Sequence, residues 1–245
     1  MMLRWYNVRP ALSLFACVLP TLYLWTLPLL ARAGFAVRGP DPTGVGKSVS
    51  HYISSAPETG LLAASFQWPI MQLWERHGIA YLERHCGSGG DATTEKLAVR
   101  SFASLVAMLV GFGGFVTFTV TWQERLHNFF VCLMCVGGLY HFRCLLRLGE
   151  DRGGFGGAVY VPLFAGFFGF GAVLAMVAGK HVAGVNWGYA FWAAESLGLT
   201  GIIWCTACDD YGKPVMRRLS TKRTPTVVAV TPSGDAAPGD PRSPV

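Results

Sequence analysis

The chain has 245 residues, of which 52% are hydrophobic and only 14% charged, with a mean hydropathy of +0.39 and a formal net charge of +6. This is too apolar for an ordinary water-soluble surface, and too short for a membrane domain joined to a separate soluble enzyme. The basic residues lie in the connecting segments, which points to membrane orientation and away from nucleic acid.

Residues 1–10 carry Arg4 and Arg9, and an apolar run over residues 11–31 follows, with Pro20 and Pro28 inside it. Ala31-Arg32-Ala33 resembles a signal-peptidase site, so a cleaved leader is one reading. An apolar core of about 20 residues exceeds the roughly 7–15 of a leader and favours a retained first helix. The loop over 34–57 is rich in Gly, Pro and Ser. Within it Gly44-Val45-Gly46-Lys47-Ser48 imitates a phosphate loop. The full motif needs a glycine where Asp41 stands, and a strand before it, so nucleotide binding is not expected.

Pro57 and Glu58 suit a helix N-terminus and open a second helix over about 59–82, with a kink expected at Pro69. A polar, glycine-containing loop over 83–96 leads to a third helix (97–121) and, across Trp122–Asn128, a fourth (127–147). Each run is near the ~20 residues that cross a ~30 Å hydrocarbon core, and neither shows the polar stripe of a soluble helix. A charged, glycine-rich turn precedes the fifth helix (158–179), and the sixth covers 188–208. Residues 1–212 thus read as an all-α, polytopic transmembrane bundle of six helices. Residues 213–245 read as a disordered cytosolic tail, basic and then rich in Pro, Ser and Thr. With six spans, fifteen of the 20 Lys and Arg residues fall in segments on the side of the termini and five on the other, which predicts both termini in the cytosol.

Seven cysteines are an odd number and form no disulfide framework. Cys132/Cys135 and Cys205/Cys208 have zinc-like spacing but lie in apolar helices at different depths, so no metal is expected. Cys144, Cys205 and Cys208 near the inner interface are candidates for palmitoylation. Gly171, Ala175 and Gly179 on the fifth helix, and Ala103, Ala107 and Gly111 on the third, have the spacing of close helix packing.

Polar groups inside apolar helices are costly and therefore informative. Glu195 lies about seven residues inside the outer end of the sixth helix, roughly 10 Å deep. Glu124, Arg125, His127 and Asn128 start the fourth helix on that side, and His127, Met134 and His141 share one of its faces. Two readings stay open: a structural Glu195 that holds the bundle together, or an outer-side polar pocket formed by Glu195, His127, Asn128, Glu124 and Arg125. Neither a Ser-His-Asp arrangement nor His-Glu-x-x-His is present, and no catalytic residue or cofactor is expected. Lys213, Arg217, Arg218, Lys222 and Arg223 form a juxtamembrane basic cluster that attracts anionic lipid.

The loop word His51-Tyr52-Ile53-Ser54-Ser55-Ala56-Pro57-Glu58, Leu126-His127-Asn128 opening the fourth helix, and Glu195 with Asp210-Tyr211 in the sixth resemble the DRAM/Frag/Sfk group of six-span membrane proteins. The resemblance covers about residues 8–212. Ser55-Ala56 depart from the Asp-Thr-Gly-like word usual there, and the loop lacks the paired cysteines of many members, so the subgroup stays open. The group includes autophagy modulators, a phosphatidylinositol-kinase scaffold and a Golgi factor acting after GPI attachment. The resemblance implies an outer loop built on Tyr52, Ile53, Ser54, Pro57 and Glu58. The expected function is a non-catalytic, lipid-responsive organiser of trafficking, autophagy or phosphoinositide signalling, in the Golgi, the lysosome or the plasma membrane, with membrane lipids and other proteins as partners. A GPI-anchor lipid-remodelling factor is the alternative and a small-solute transporter the third reading.

Overall fold

The computed structural model describes residues 5–36, 44–79, 82–83, 92–150 and 157–220, with side chains described from residue 14 onward except at 56, 148–159, 206 and 208–220. Among the described residues the chain is all helical. The elements are α1 (Trp5–Ala33), α2 (Val49–Tyr52), α3 (Ala56–Leu73), a π-helical turn (Trp74–Ile79), α4 (Ala92–Thr117), α5 (Glu124–Glu150), α6 (Gly157–Ala183) and α7 (Tyr189–Ser220). Four stretches of the described residues are long and apolar enough to cross a membrane: Leu14–Ala33, Ala92–Thr117, Glu124–Arg147 and Tyr160–Ala183. The shorter α3 is diluted by Glu58, Gln67 and Gln72.

The helices differ from the sequence expectation mainly at their ends. α3 starts at Ala56 rather than 59, because Ser55 takes the extended N-cap conformation and Pro57 needs no donor in a first turn. It runs through Pro69, and the departure from α geometry comes later, in the π-helical turn where His77 and Gly78 are buried. α4 begins at Ala92 and stops at Thr117, short of 121. Phe118–Gln123 turn instead, with Trp122 N–H and Gln123 N–H both on the Thr119 carbonyl. α5, α6 and α1 extend a few residues beyond the apolar runs, since polar residues outside the hydrocarbon continue a helix readily. The tail expected to be disordered from 213 is helical through Ser220. Met216, Arg217, Arg218 and Leu219 are good helix formers added to an existing helix, which needs no new nucleus. Lys222, Arg223 and the rest of the tail lie outside the described residues.

Two antiparallel hairpins, α4–α5 and α6–α7, make the closest pairings, and α5 against α6 joins them. α1 and α3 pack on α7. Glycines bring the paired backbones together: a Cβ on Gly169 would lie 2.2 Å from the Gly198 nitrogen, and one on Gly201 2.4 Å from the Gly166 backbone. In the other hairpin a Cβ on Gly111 would meet the Met134 nitrogen at 2.4 Å, and one on Gly137 the Met108 nitrogen at 2.6 Å. The glycine rows expected from four-residue spacing are therefore only partly the packing seams. Gly111 is one, but Ala103 is exposed and Gly171 meets only the Leu139 side chain at ordinary contact distance. Spacing of three puts residues on one helix face as well as spacing of four, and the Gly198/Gly201 seam uses it.

α1 is laced to α7 by donors that would otherwise be stranded in an apolar layer. Trp204 Nε1 donates to Thr21 Oγ1 (2.8 Å), Trp192 Nε1 to the Leu24 carbonyl (3.2 Å) and Trp25 Nε1 to Thr200 Oγ1 (3.0 Å). Cys17 Sγ donates to the Ile203 carbonyl (3.2 Å) from a fully packed position.

Candidate functional site

One end of the bundle carries the 44–54 segment, the α4–α5 turn and the α6–α7 connection; it is called the loop end below. The sequence that imitates a phosphate loop is built into it as a clamp. Lys47 N–H donates to the Gly188 carbonyl (2.9 Å) and Trp187 N–H to the Val45 carbonyl (2.7 Å), tying the two connections together. Gly46 makes this possible. Its φ is +150°, and a Cβ there would sit 2.7 Å from both the nitrogen and the oxygen of Gly188. Asn186 Nδ2 adds a bond to the Gly44 carbonyl (3.2 Å), and Trp187 Nε1 anchors the connection to the Met176 carbonyl (2.9 Å).

The short helix α2 begins next to this clamp, and its first amide groups need acceptors. Ser48 Oγ caps it by accepting the His51 N–H (3.0 Å). Glu195, reaching up from α7 and only 5% exposed, accepts the Val49 N–H on Oε2 at 2.6 Å. A carboxylate–amide bond of this kind is worth about 1.5–3 kcal/mol. Glu195 thus holds a loop element, and no sequence pattern signals the Val49 amide as a partner.

His127 is buried one turn into α5. Its Nδ1 donates to the Phe118 carbonyl (2.6 Å), which closes the frayed end of α4, and its ring lies 5.4 Å from that of Phe115. Met134 and His141 are buried on the same α5 face, as the spacing requires.

A cavity of about 440 Å³ opens at this end between the loop, α5, α6 and α7. Glu195, His127, Asn128, Glu124 and Arg125 all line it. The structure adds Ser48 and Ser50 from the loop side and Lys180 and His181 from the end of α6, which the sequence reading did not include. Lys180 was legible as a basic residue ending an apolar run, and its Nζ lies over Gly44, 3.3 Å from where a Cβ would be. Val131, Cys132, Val177 and Phe191 add an apolar part to the lining. The lining thus combines charged and apolar side chains. Among the described residues no group of three or more His, Cys, Asp or Glu could hold a metal.

The loop word next to the cavity is mostly structural. Tyr52, Ile53 and Ser54 are buried, and Thr59 Oγ1 donates to the Ser55 carbonyl (2.8 Å) and the Ile53 carbonyl. Pro57 is exposed at the start of α3, and the Glu58 carbonyl accepts from Tyr23 Oη (3.1 Å). The Tyr52 hydroxyl is pushed up to about 12, first by burial and then by Tyr189 beside it, with Arg32 opposing.

At the opposite end, His141 is fully buried. Its Nδ1 donates to the Ser101 carbonyl (3.0 Å) with Ser101 Oγ at 3.1 Å, and its ring lies 6.1 Å from that of His77 in the π-helical turn. Cys144 and Cys205, expected as acylation candidates, are buried as small apolar groups, and Cys205 Sγ donates to the Ile202 carbonyl (3.3 Å). Lys213, Arg217 and Arg218 lie on the helical extension of α7.

Compared with family models, with curated proteins and with solved structures, the chain matches none.

Proposed function

We propose that the loop end is the outer side of a membrane, that all six long helices cross it with both termini cytosolic, and that the loop-end cavity holds the headgroup of an outer-leaflet lipid. The protein then acts as a non-catalytic, lipid-responsive organiser of membrane trafficking, autophagy or phosphoinositide signalling, in the endomembrane system or the plasma membrane. The observation that carries this reading is the cavity itself, which Arg125, Lys180 and Glu124 line together with Val131, Val177 and Phe191. An amphipathic ligand matches that mixed lining, because its polar part can meet charge and its apolar part hydrocarbon. The basic-residue asymmetry supports the orientation, as do Trp122 and Tyr189, which are exposed at the loop end as interfacial aromatics. At the cytosolic end Lys213, Arg217, Arg218, Lys222 and Arg223 add attraction for anionic lipid of about 1 kcal/mol each near the surface.

The test is lipid retention. Full-length protein purified in mild detergent should carry phospholipid identifiable by mass spectrometry, and a variant with Val177→Trp filling the cavity should carry much less. Equal lipid in both would contradict the headgroup reading. Deleting the protein in cells should leave the lipid moiety of GPI-anchored proteins unchanged; an altered moiety would favour a remodelling factor instead.

A further inference from the structure

The distribution of charge around the cavity narrows the headgroup. Arg125 on α5 and Lys180 on α6 face the cavity from different walls. Neither side chain has an ion pair or a hydrogen bond to another described residue. Glu124, at the start of α5, also lines the cavity with no such partner among the described residues. The deeper carboxylate, Glu195, already accepts the Val49 N–H. The lining therefore presents two cationic groups and one anionic group still to be satisfied, beside the Asn128 amide.

A purely anionic headgroup would meet Arg125 and Lys180 but would sit against Glu124. A purely cationic one would face two like charges. A headgroup set against a like charge loses affinity. A zwitterion satisfies both signs at once. A primary ammonium suits Glu124 better than a quaternary one, since it can donate N–H bonds to the carboxylate and a quaternary ammonium cannot. Resting on the headgroup reading above, we propose that the cavity is selective for a phosphoethanolamine headgroup, its phosphate on Arg125 and Lys180, its ammonium on Glu124, and its glycerol and first acyl carbons over Val131 and Val177.

The experiment measures binding of dioctanoyl phosphatidylethanolamine, phosphatidylglycerol and phosphatidylcholine to the full-length protein in detergent, with free phosphoethanolamine and inorganic phosphate alongside. Phosphatidylethanolamine should bind about tenfold tighter than either other lipid, the value of one charge-assisted bond. Glu124→Gln, at an exposed first-turn position, should abolish that preference, and Glu124→Asp should retain it. Lys180→Gln and Arg125→Gln should weaken all three lipids. Equal affinity for the three lipids, unmoved by Glu124→Gln, would overturn the selectivity while leaving a headgroup site standing. Free phosphoethanolamine binding as tightly as the lipid would assign the site to a soluble ligand and overturn the lipid part. Absence of binding by every lipid would remove both readings.

Discussion

The two ends of the bundle each bury a polar group in apolar helices, and they do so differently. At the end opposite the loops His141 is enclosed: its Nδ1 is spent on the Ser101 carbonyl, the neighbouring groups pack around it, and it serves α4–α5 cohesion. At the loop end Glu195 is just as buried, yet it borders a cavity of about 440 Å³ with charged residues in its lining. Burial and ionisable chemistry are common to both. Space beside the group, and unmet charge around that space, separate a packing residue from a ligand site.

If that distinction holds, His141→Ala should cause the largest loss of stability, about 2–5 kcal/mol as for other large-to-small changes in a packed core. Lipid binding by the folded fraction should not change. Detergent-solubilised thermal unfolding together with lipid titration reads both, and a binding defect without a stability defect would erase the contrast between the ends.

Glu195→Ala should cost less, about 1.5–3 kcal/mol, because the Val49 N–H loses its acceptor next to the cavity. It should also loosen α2 and weaken lipid retention. Glu195→Gln keeps an oxygen at the same place and should recover most of the stability. Equal damage from the two variants would mean that the negative charge, not the capping bond, is what the bundle needs.

How much of this was legible beforehand depends on the kind of signal. The spans of α4, α5 and α6 could be read because hydrocarbon demands about 20 apolar residues in a row. Glu195 and the polar start of α5 stood out because charge is rare in such runs. The partner of Glu195 could not be read: Val49 contributes only a backbone amide, and every residue has one. Gly46 looked like part of a nucleotide motif, yet its use is the close approach to Gly188, 142 positions along the chain. The Gly169–Gly198 and Gly166–Gly201 seams were missed for a similar reason. Glycines are plentiful in these helices, and only the rotation of α6 against α7 decides which ones meet.

The smallest effect expected is a pH dependence confined to the loop end. The Tyr52 hydroxyl is raised in the folded protein to about 12, above its ordinary value of 10.0. A raised folded value favours the neutral phenol, so its contribution is fully present below pH 10 and is lost as pH rises towards 12. At pH 11 the loss should be on the order of 1 kcal/mol. Chemical unfolding of wild type and Tyr52→Phe between pH 9 and 11 should show the wild type losing that much more. Parallel curves would mean that Tyr52 is not held as described.

An outer-leaflet headgroup site with cytosolic termini requires α3 to cross the membrane, since only then do the 44–54 loop and the start of α4 lie on opposite sides. In a cysteine-free background, single cysteines at Phe35, which is well exposed after α1, and at Ala92, exposed at the start of α4, can be probed with a membrane-impermeant maleimide in intact cells. Val45 lines the cavity but is buried, so Val182 at the exposed end of α6 serves as the second loop-end position. Phe35→Cys and Val182→Cys should label from outside, or from the lumen in sealed vesicles, and Ala92→Cys only after permeabilisation. Labelling of Phe35→Cys and Ala92→Cys from the same side would contradict the six-span arrangement and, with it, an outer-leaflet headgroup site.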